Sequence, residues 1–349
     1  MARHSAQIAG AKGRRSAGHV TLADVARLAG VATMSASRAL RMPGEVSPEL
    51  RRRVQRAIEQ LGYVRNRVAG GLAGAANDMV GVIVPSMHNA FFSATLEALA
   101  RELESRGVGL LVANSGYDAR KESDLAYALL SWRPRALVLT GVDHSAKVLH
   151  LMRGVSTPLI EMWDLSPRPA TLNIGFSHRE VGKAVARHFA SAGYRKLAFA
   201  GANMQLDRRA RQRCAGFVAE ALRLGLQRPR VVEIEQRAEV GRGREAAAEL
   251  LRGTPAVQAA AFSNDVLALG ALFECQARGI AVPGRLALAG FGDLDVVAQT
   301  VPSITSVAPP SAEIGRLVGQ AVFDKQLRDR RAIDLGFHLI ARASSAPRR

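Results

Sequence analysis

Residues 20–74 read VTLADVARLAGVATMSASRALRMPGEVSPELRRRVQRAIEQLGYVRNRVAGGLAG. Thr21-Leu-Ala-Asp24 has the form of a capping box, and Val25, Ala26, Leu28 and Ala29 follow at helical spacing. Gly30-Val31 breaks that helix after two turns. A second short helix is predicted over Thr33 to Leu40, ended by Pro43-Gly44. Ser47-Pro48-Glu49 opens a third, with serine as N-cap, proline at the first helical position and an acid in the first turn. Its apolar residues Leu50, Val54, Ile58 and Leu61 share one face, and Gly62 ends it. A helix, a glycine-containing turn and a second short helix make a helix-turn-helix arrangement. Spacing alone also allows a plain three-helix bundle.

Charge favours a polyanionic partner. The 349-residue chain carries a formal net charge of +18, and residues 1–75 hold 13 basic and 4 acidic side chains, a net +9. Half the excess thus sits in about a fifth of the chain, as expected of a module that meets nucleic acid. A basic tail that only aids solubility is the other reading. Residues 1–18 contain Arg3, Lys12, Arg14 and Arg15 but no apolar core of a secretory signal, so a disordered basic arm is expected there. Arg51, Arg52 and Arg53 read as a solvated helix face.

From residue 79 the pattern changes. Short apolar runs (MVGVIVP, GLLVANS, RALVLTG, TPLIEMW, KLAFAGA, VVEIE, AAAFSND, LALAGFGD) alternate with helical segments of ten to fifteen residues. Unpatterned apolar strands separated by helices indicate parallel sheets covered on both faces, with enough units for two lobes. The expected organisation is a basic arm over 1–18, a small all-α helix-turn-helix headpiece over 19–64, a hinge over 65–77 and an α/β core over 78–345. Gly70, Gly71 and Gly74 weaken any hinge helix, at about 1 kcal/mol each relative to alanine. Two cysteines, Cys214 and Cys275, build neither a disulfide framework nor a zinc cluster, and no run of 18 apolar residues exists. These features predict a cytoplasmic protein.

Little points to an enzyme. Gly241-Arg-Gly243-Arg-Glu-Ala246 follows the VVEIE run with Asp265 about twenty residues on, but it lacks the last glycine of a dinucleotide fingerprint. The eight histidines are scattered, without a zinc-protease or nucleophile-elbow pattern. No catalytic residue, metal or cofactor is assigned. A sugar-processing enzyme and a nonspecific nucleoid protein are the rival classes.

The quoted stretch resembles the start of the LacI/GalR repressor family, and the resemblance runs without a gap over 20–74 and on to about residue 342. It implies a DNA-binding regulator in which Thr33–Leu40 is the recognition helix. Thr33 and Met34 match positions that face base edges, and Ser37 and Arg38 match the next major-groove turn. Arg38 could pair with guanine and Met34 could meet a thymine methyl. Thr21, Asn66 and Arg67 are placed for phosphates, and Leu72 matches a leucine that wedges into the minor groove. Ala32 departs from the serine or threonine often found there, so the recognition helix is expected to lack a side-chain cap.

For the core, the resemblance implies a two-lobed periplasmic-binding-protein-like fold that closes on a small ligand. Arg213 (in RRARQRCAGF) matches a ligand-holding arginine, Asn264 and Asp265 (in SNDVLALGA) a ligand-binding pair, and Phe176 an aromatic against the sugar. Ser86, Asn89, Phe91, Glu161, Trp163 and Asp164 are further candidates by position. The alternative makes Phe91, Phe176 and Trp163 core residues and Asp265 a helix cap. Gly292 stands where relatives often carry aspartate, with Asp293 and Asp295 following, which argues against a standard neutral-sugar pocket. LLSWRPRALVLTG, PLIEMWDL, NIGFSHRE, ALAGFGDLD and IDLGF are similar to the gluconate-operon repressor branch. That implies a sugar-acid effector, with a neutral sugar or nucleoside as the alternative. It also implies a homodimer on a pseudo-palindromic operator, with Asp293 added to the effector candidates.

Overall fold

Capping decides where the first three helices start and stop in the computed structural model, which describes residues 20–63, 77–88, 90–252 and 256–347. The chain divides into two units, Met1–Ala75 and Ala76–Arg349. The expected basic arm, the hinge residues Asn66, Arg67 and Leu72, and Asn89 lie outside the described residues.

In the first unit, α1 spans Leu22–Ala29, α2 Thr33–Arg41 and α3 Pro48–Leu61. Thr21 Oγ1 accepts the Asp24 amide at 3.3 Å, and the Asp24 carboxylate accepts the Thr21 amide at 3.0 Å. This capping box ties the Thr21 and Asp24 amides to side chains at the start of α1, where main-chain acceptors run short. Gly30, at φ +63°, closes α1 in the left-handed region. Ala32 at the N-cap of α2 offers no side-chain hydrogen bond, as expected. Ser47 Oγ caps α3 through the Leu50 amide, and Gly62 ends it at φ +62°. The core is made of small side chains, Val25, Ala26, Ala29, Ala36, Ala39, Val54 and Ala57, which allow close helix packing.

In the second unit, β1 (Asn77–Val84), α4 (Ala90–Glu104), β2 (Gly109–Asn114), α5 (Ala119–Ser131), β3 (Pro134–Thr140), α6 (Ala146–Gly154), β4 (Leu159–Met162) and β5 (Leu172–Gly175) build most of one lobe. The other lobe follows as α7 (His178–Ser191), β6 (Leu197–Ala202), α8 (Arg208–Arg223), β7 (Arg230–Ile234), α9 (Val240–Arg252), β8 (Ala259–Phe262), α10 (Asp265–Ala277), β9 (Ala287–Phe291), α11 (Asp295–Gln299) and β10 (Thr305–Ala308). The chain then returns to the first lobe with α12 (Ser311–Phe323), α13 (Lys325–Asp329) and β11 (Ala332–Asp334), and crosses again to place β12 (His338–Ile340) in the second. The two six-stranded sheets run in the orders β11-β5-β4-β3-β1-β2 and β12-β10-β9-β8-β6-β7. All pairings are parallel except β10 with β12. Buried Val, Ile, Leu, Ala and Phe on the strands explain the unpatterned apolar runs.

The strand orders fix where a ligand can lie. The chain reverses its direction of winding between β1 and β3 in one sheet and between β6 and β8 in the other. Crevices at such switch points open outside the carboxyl ends of the strands.

Candidate functional site

A cleft of about 420 Å³ occupies that position, lined from the first lobe by Pro85, Ser115, Tyr117, Thr140, Gly141 and Asp164. From the second lobe the segment Gln205–Arg211 contributes Gln205, Leu206, Arg208, Arg209 and Arg211. These residues follow β1, β2, β3, β4 and β6, so both sheets aim their carboxyl ends at one space.

Arg213 is fixed beside it. Its helix, α8, approaches α7 unusually closely. A Cβ on Gly182 would stand 1.9 Å from the Arg213 carbonyl oxygen, and one on Gly216 would stand 2.0 Å from that of Arg179. Glycine is therefore required at both positions. Arg213 Nη1 donates to His178 Nδ1 at 2.9 Å and Nη2 to the Ser263 carbonyl at 2.8 Å. The guanidinium carbon lies 4.1 Å from the centroid of Phe291. Nε is buried without a hydrogen-bond partner among the described residues. Burial lowers Arg213 to about 10, yet it stays a cation at neutral pH. His178 Nε2 meets the Trp163 carbonyl at 2.8 Å, and burial followed by the charges of Arg213 and Arg209 drives its pKa well below the usual value. The imidazole is thus neutral, with its proton on Nε2 and its Nδ1 lone pair turned to Arg213.

An aromatic cluster packs around Trp163, next to the cleft residue Asp164. Phe91 lies 5.1 Å from Trp163 and 5.7 Å from Phe291, and Trp163 lies 5.8 Å from Phe176, centroid to centroid. Trp163 and Phe176 are fully buried, Phe91 half-buried. The Trp163 Nε1–H donates to Thr95 Oγ1 at 3.1 Å, and its φ of +71° turns the chain so that Asp164 enters the cleft. Burial raises the Asp164 carboxyl above its usual range.

The remaining candidates have other partners. Asn264, not Asp265, caps α10, its Oδ1 accepting the Leu267 amide at 3.1 Å. Asp265 braces the turn after β9, accepting Ser306 Oγ at 2.6 Å and the Leu294 amide at 2.8 Å. A side chain on Gly290 would collide with its Oδ1. Burial raises Asp265 to about 6. Asp293 pairs with Arg342 at 2.7 Å, and half-buried Ser86 receives the His88 amide at 3.2 Å. Glu161 stands apart from the cleft group. Its carboxylate accepts Asn173 Nδ2 and Thr171 Oγ1 and lies 3.3 Å from His144 Nε2, while His144 Nδ1 meets Glu122 at 2.8 Å. We assign Glu161 to this internal network, because its oxygens are already occupied. Burial alone would lower His144, but the hydrogen bonds and charges of Glu122 and Glu161 outweigh it and raise the imidazole to about 9.

Sequence reasoning missed Arg209, His178, Tyr117 and Thr140. Arg209 was the most findable, being one helical turn before Arg213 on the same face.

In the first unit, α2 turns Thr33, Met34 and Arg38 outward, with Met34 76% exposed. The turn before α2 is held by Arg53, which donates from Nε and Nη2 to the Ala29 carbonyl at 3.0 and 2.6 Å and from Nη2 to that of Gly30 at 2.9 Å. Arg53 therefore caps α1 and is not merely part of a solvated charge run. Among the described residues no helix is long and apolar enough to cross a membrane.

Comparison with known proteins agrees with these features. A family model described as bacterial regulatory proteins, lacI family, matches residues 21–66, and a periplasmic binding protein-like domain matches 186–345. The chain is 38% identical over 339 residues to the HTH-type transcriptional regulator GntR of Pseudomonas aeruginosa, covering 96% of this chain and 98% of that one. A crystal structure of a LacI family regulator from Silicibacter pomeroyi superposes with a TM-score of 0.88 at 30% identity, over 94% of this chain and 99% of the other. The GntR regulator from Chromobacterium violaceum gives a TM-score of 0.71 at 34% identity, over 76% of this chain and 99% of that one.

Proposed function

Since this chain belongs to the lacI family of bacterial regulatory proteins and is a DNA-binding transcriptional regulator, we propose that it is a homodimeric repressor released from its operator by a sugar acid of the gluconate type. The observation that carries the effector class is the buried Arg213, whose Nε has no partner while its other nitrogens are held in place. A pre-oriented, buried guanidinium beside the cleft favours an oxygen anion through charge-assisted hydrogen bonds. Of the aromatic cluster of Phe91, Trp163 and Phe176, half-buried Phe91 is the member left open to meet the apolar edge of a polyol chain. Asp164, which lines the cleft, then serves hydroxyl groups, and Asn264 offers its Nδ2 while its Oδ1 caps α10.

Thr33, Met34, Ser37 and Arg38 read base edges in the major groove, and Thr21 with Asn66 and Arg67 sets the register on phosphates. Leu72 serves as the minor-groove wedge of the hinge. Calorimetric titration with gluconate, its 6-phosphate, 2-ketogluconate and glucose tests the effector class. Binding of at least one acid below millimolar, with glucose much weaker, is expected. Glucose binding as well as the acids, or no acid binding, refutes it.

A further inference from the structure

Arg209 is the second buried arginine of α8. It lies one turn before Arg213 on α8, so both guanidiniums leave the same helix face. Only 9% of its surface is exposed, although two buried cations a turn apart repel each other. Arg213 is immobilised by His178, Ser263 and Phe291 within its own lobe or at the lobe junction. Arg209 instead crosses the cleft. Its Nη1 reaches the Thr140 carbonyl, at the end of β3 in the opposite lobe, over a long 3.4 Å. Its guanidinium carbon is 6.0 Å from the Tyr117 ring and 5.8 Å from Phe92, both also in the opposite lobe.

The space it enters is kept open by Gly141, at φ +94°, where a Cβ would stand 2.8 Å from Nη1. The neighbouring carboxylates are partly committed. Asp207 Oδ1 caps α8 through the Arg209 and Ala210 amides and lies 3.8 Å from Arg209 Nε, and Asp164 Oδ1 accepts the Leu165 amide.

We infer that Arg209 is the residue that selects a carboxylated ligand over the neutral polyol of the same length, by binding the acid across the cleft between the lobes. The inference rests on the sugar-acid reading above and adds the residue that enforces it. Arg213 orients the ligand with a fixed fork. Arg209, which touches both lobes, supplies the second cation and turns the ligand's charge into lobe closure. A neutral polyol gains the hydroxyl contacts but not this charge.

The test compares D-gluconate with D-glucitol, the same open chain without the carboxylate, by calorimetry on the full chain, with thermal unfolding as the check on folding. In the wild type gluconate binds more tightly. Arg209→Gln should weaken gluconate by about tenfold or more and change glucitol by less than about twofold. Should the glutamine variant fail to fold, Arg209→Lys decides alone, with a severalfold loss for gluconate and none for glucitol. An equal loss for both ligands makes Arg209 only a latch between the lobes and overturns the inference, while the sugar-acid reading stands. A wild type that binds glucitol as well as gluconate overturns both.

Discussion

Arg213 donates to His178 Nδ1 at 2.9 Å while His178 donates from Nε2 to the Trp163 carbonyl at 2.8 Å. A single neutral imidazole thus connects an arginine of the second lobe to the strand end that presents Asp164 in the first. The guanidinium is thereby held in one orientation, which in the proposed effector site would give specificity by pre-organisation.

Replacing that fork is the first test. Arg213→Lys keeps the positive charge but removes the planar geometry and the donors that hold His178 and Ser263 together. Sugar-acid affinity should fall more than tenfold, about 1.4 kcal/mol. Calorimetry reads this directly, and an unchanged affinity would remove Arg213 from the site.

The buried His144 gives a pH-dependent stability of defined sign. Its folded pKa of about 9 lies above the ordinary value of 6.5, so the ion pairs with Glu122 and Glu161 contribute fully below about pH 6.5. That contribution is lost as pH rises through 9. Urea unfolding of the wild type should show stability falling over this window, and His144→Gln should flatten the fall. A His144→Gln variant with the wild-type slope would place the proton elsewhere.

What the sequence disclosed and what it hid follow from contact range. The capping box of Thr21 and Asp24, the Ser47 cap and the Gly62 stop join residues three or four apart, and each was readable. Long apolar strands were equally plain. β5, β10, β11 and β12 were not, because in three or four residues each carries polar side chains (Asn173, Thr305 with Ser306, Asp334, His338), whereas the equally short β4 and β8 sit in plainer apolar runs. At the site, Arg213 could be picked out by resemblance, but its locks could not, since His178 and Ser263 are 35 and 50 residues away. The network around Glu161 was hidden for the same reason. Its partners Asn173, Thr171 and His144 converge only when β4 meets β5 and the loop after β3.

Arg53 offers a test of how α2, the proposed DNA-reading helix, is positioned. Arg53→Ala removes three hydrogen bonds to the carbonyls of Ala29 and Gly30, at the turn that leads into α2. The first unit should lose roughly 1–2 kcal/mol of stability, because the α1 carbonyls lose a charged donor. Operator affinity should fall with it. Unchanged urea unfolding of this unit, followed by hydrogen exchange of α1 and α3, would show that water replaces the cap without loss.

Arg38 tests base reading itself. It is exposed on α2 beside Met34 and Ser37. Arg38→Ala should cost about 1–3 kcal/mol on operator and relax the preference at one base pair. Equal losses on operator and random duplex would make it a phosphate contact.

The central claim is that an anionic sugar acid governs DNA binding, and release of the operator measures it most directly. An operator selected from a random duplex pool, fluorescently labelled and bound by the full chain, is titrated with gluconate, 2-ketogluconate, gluconate 6-phosphate and glucose while anisotropy is followed. The account predicts that at least one acid releases the operator below millimolar concentration and that glucose does not. Release by glucose as effective as by the acids, or retention of the operator under every acid, would contradict it.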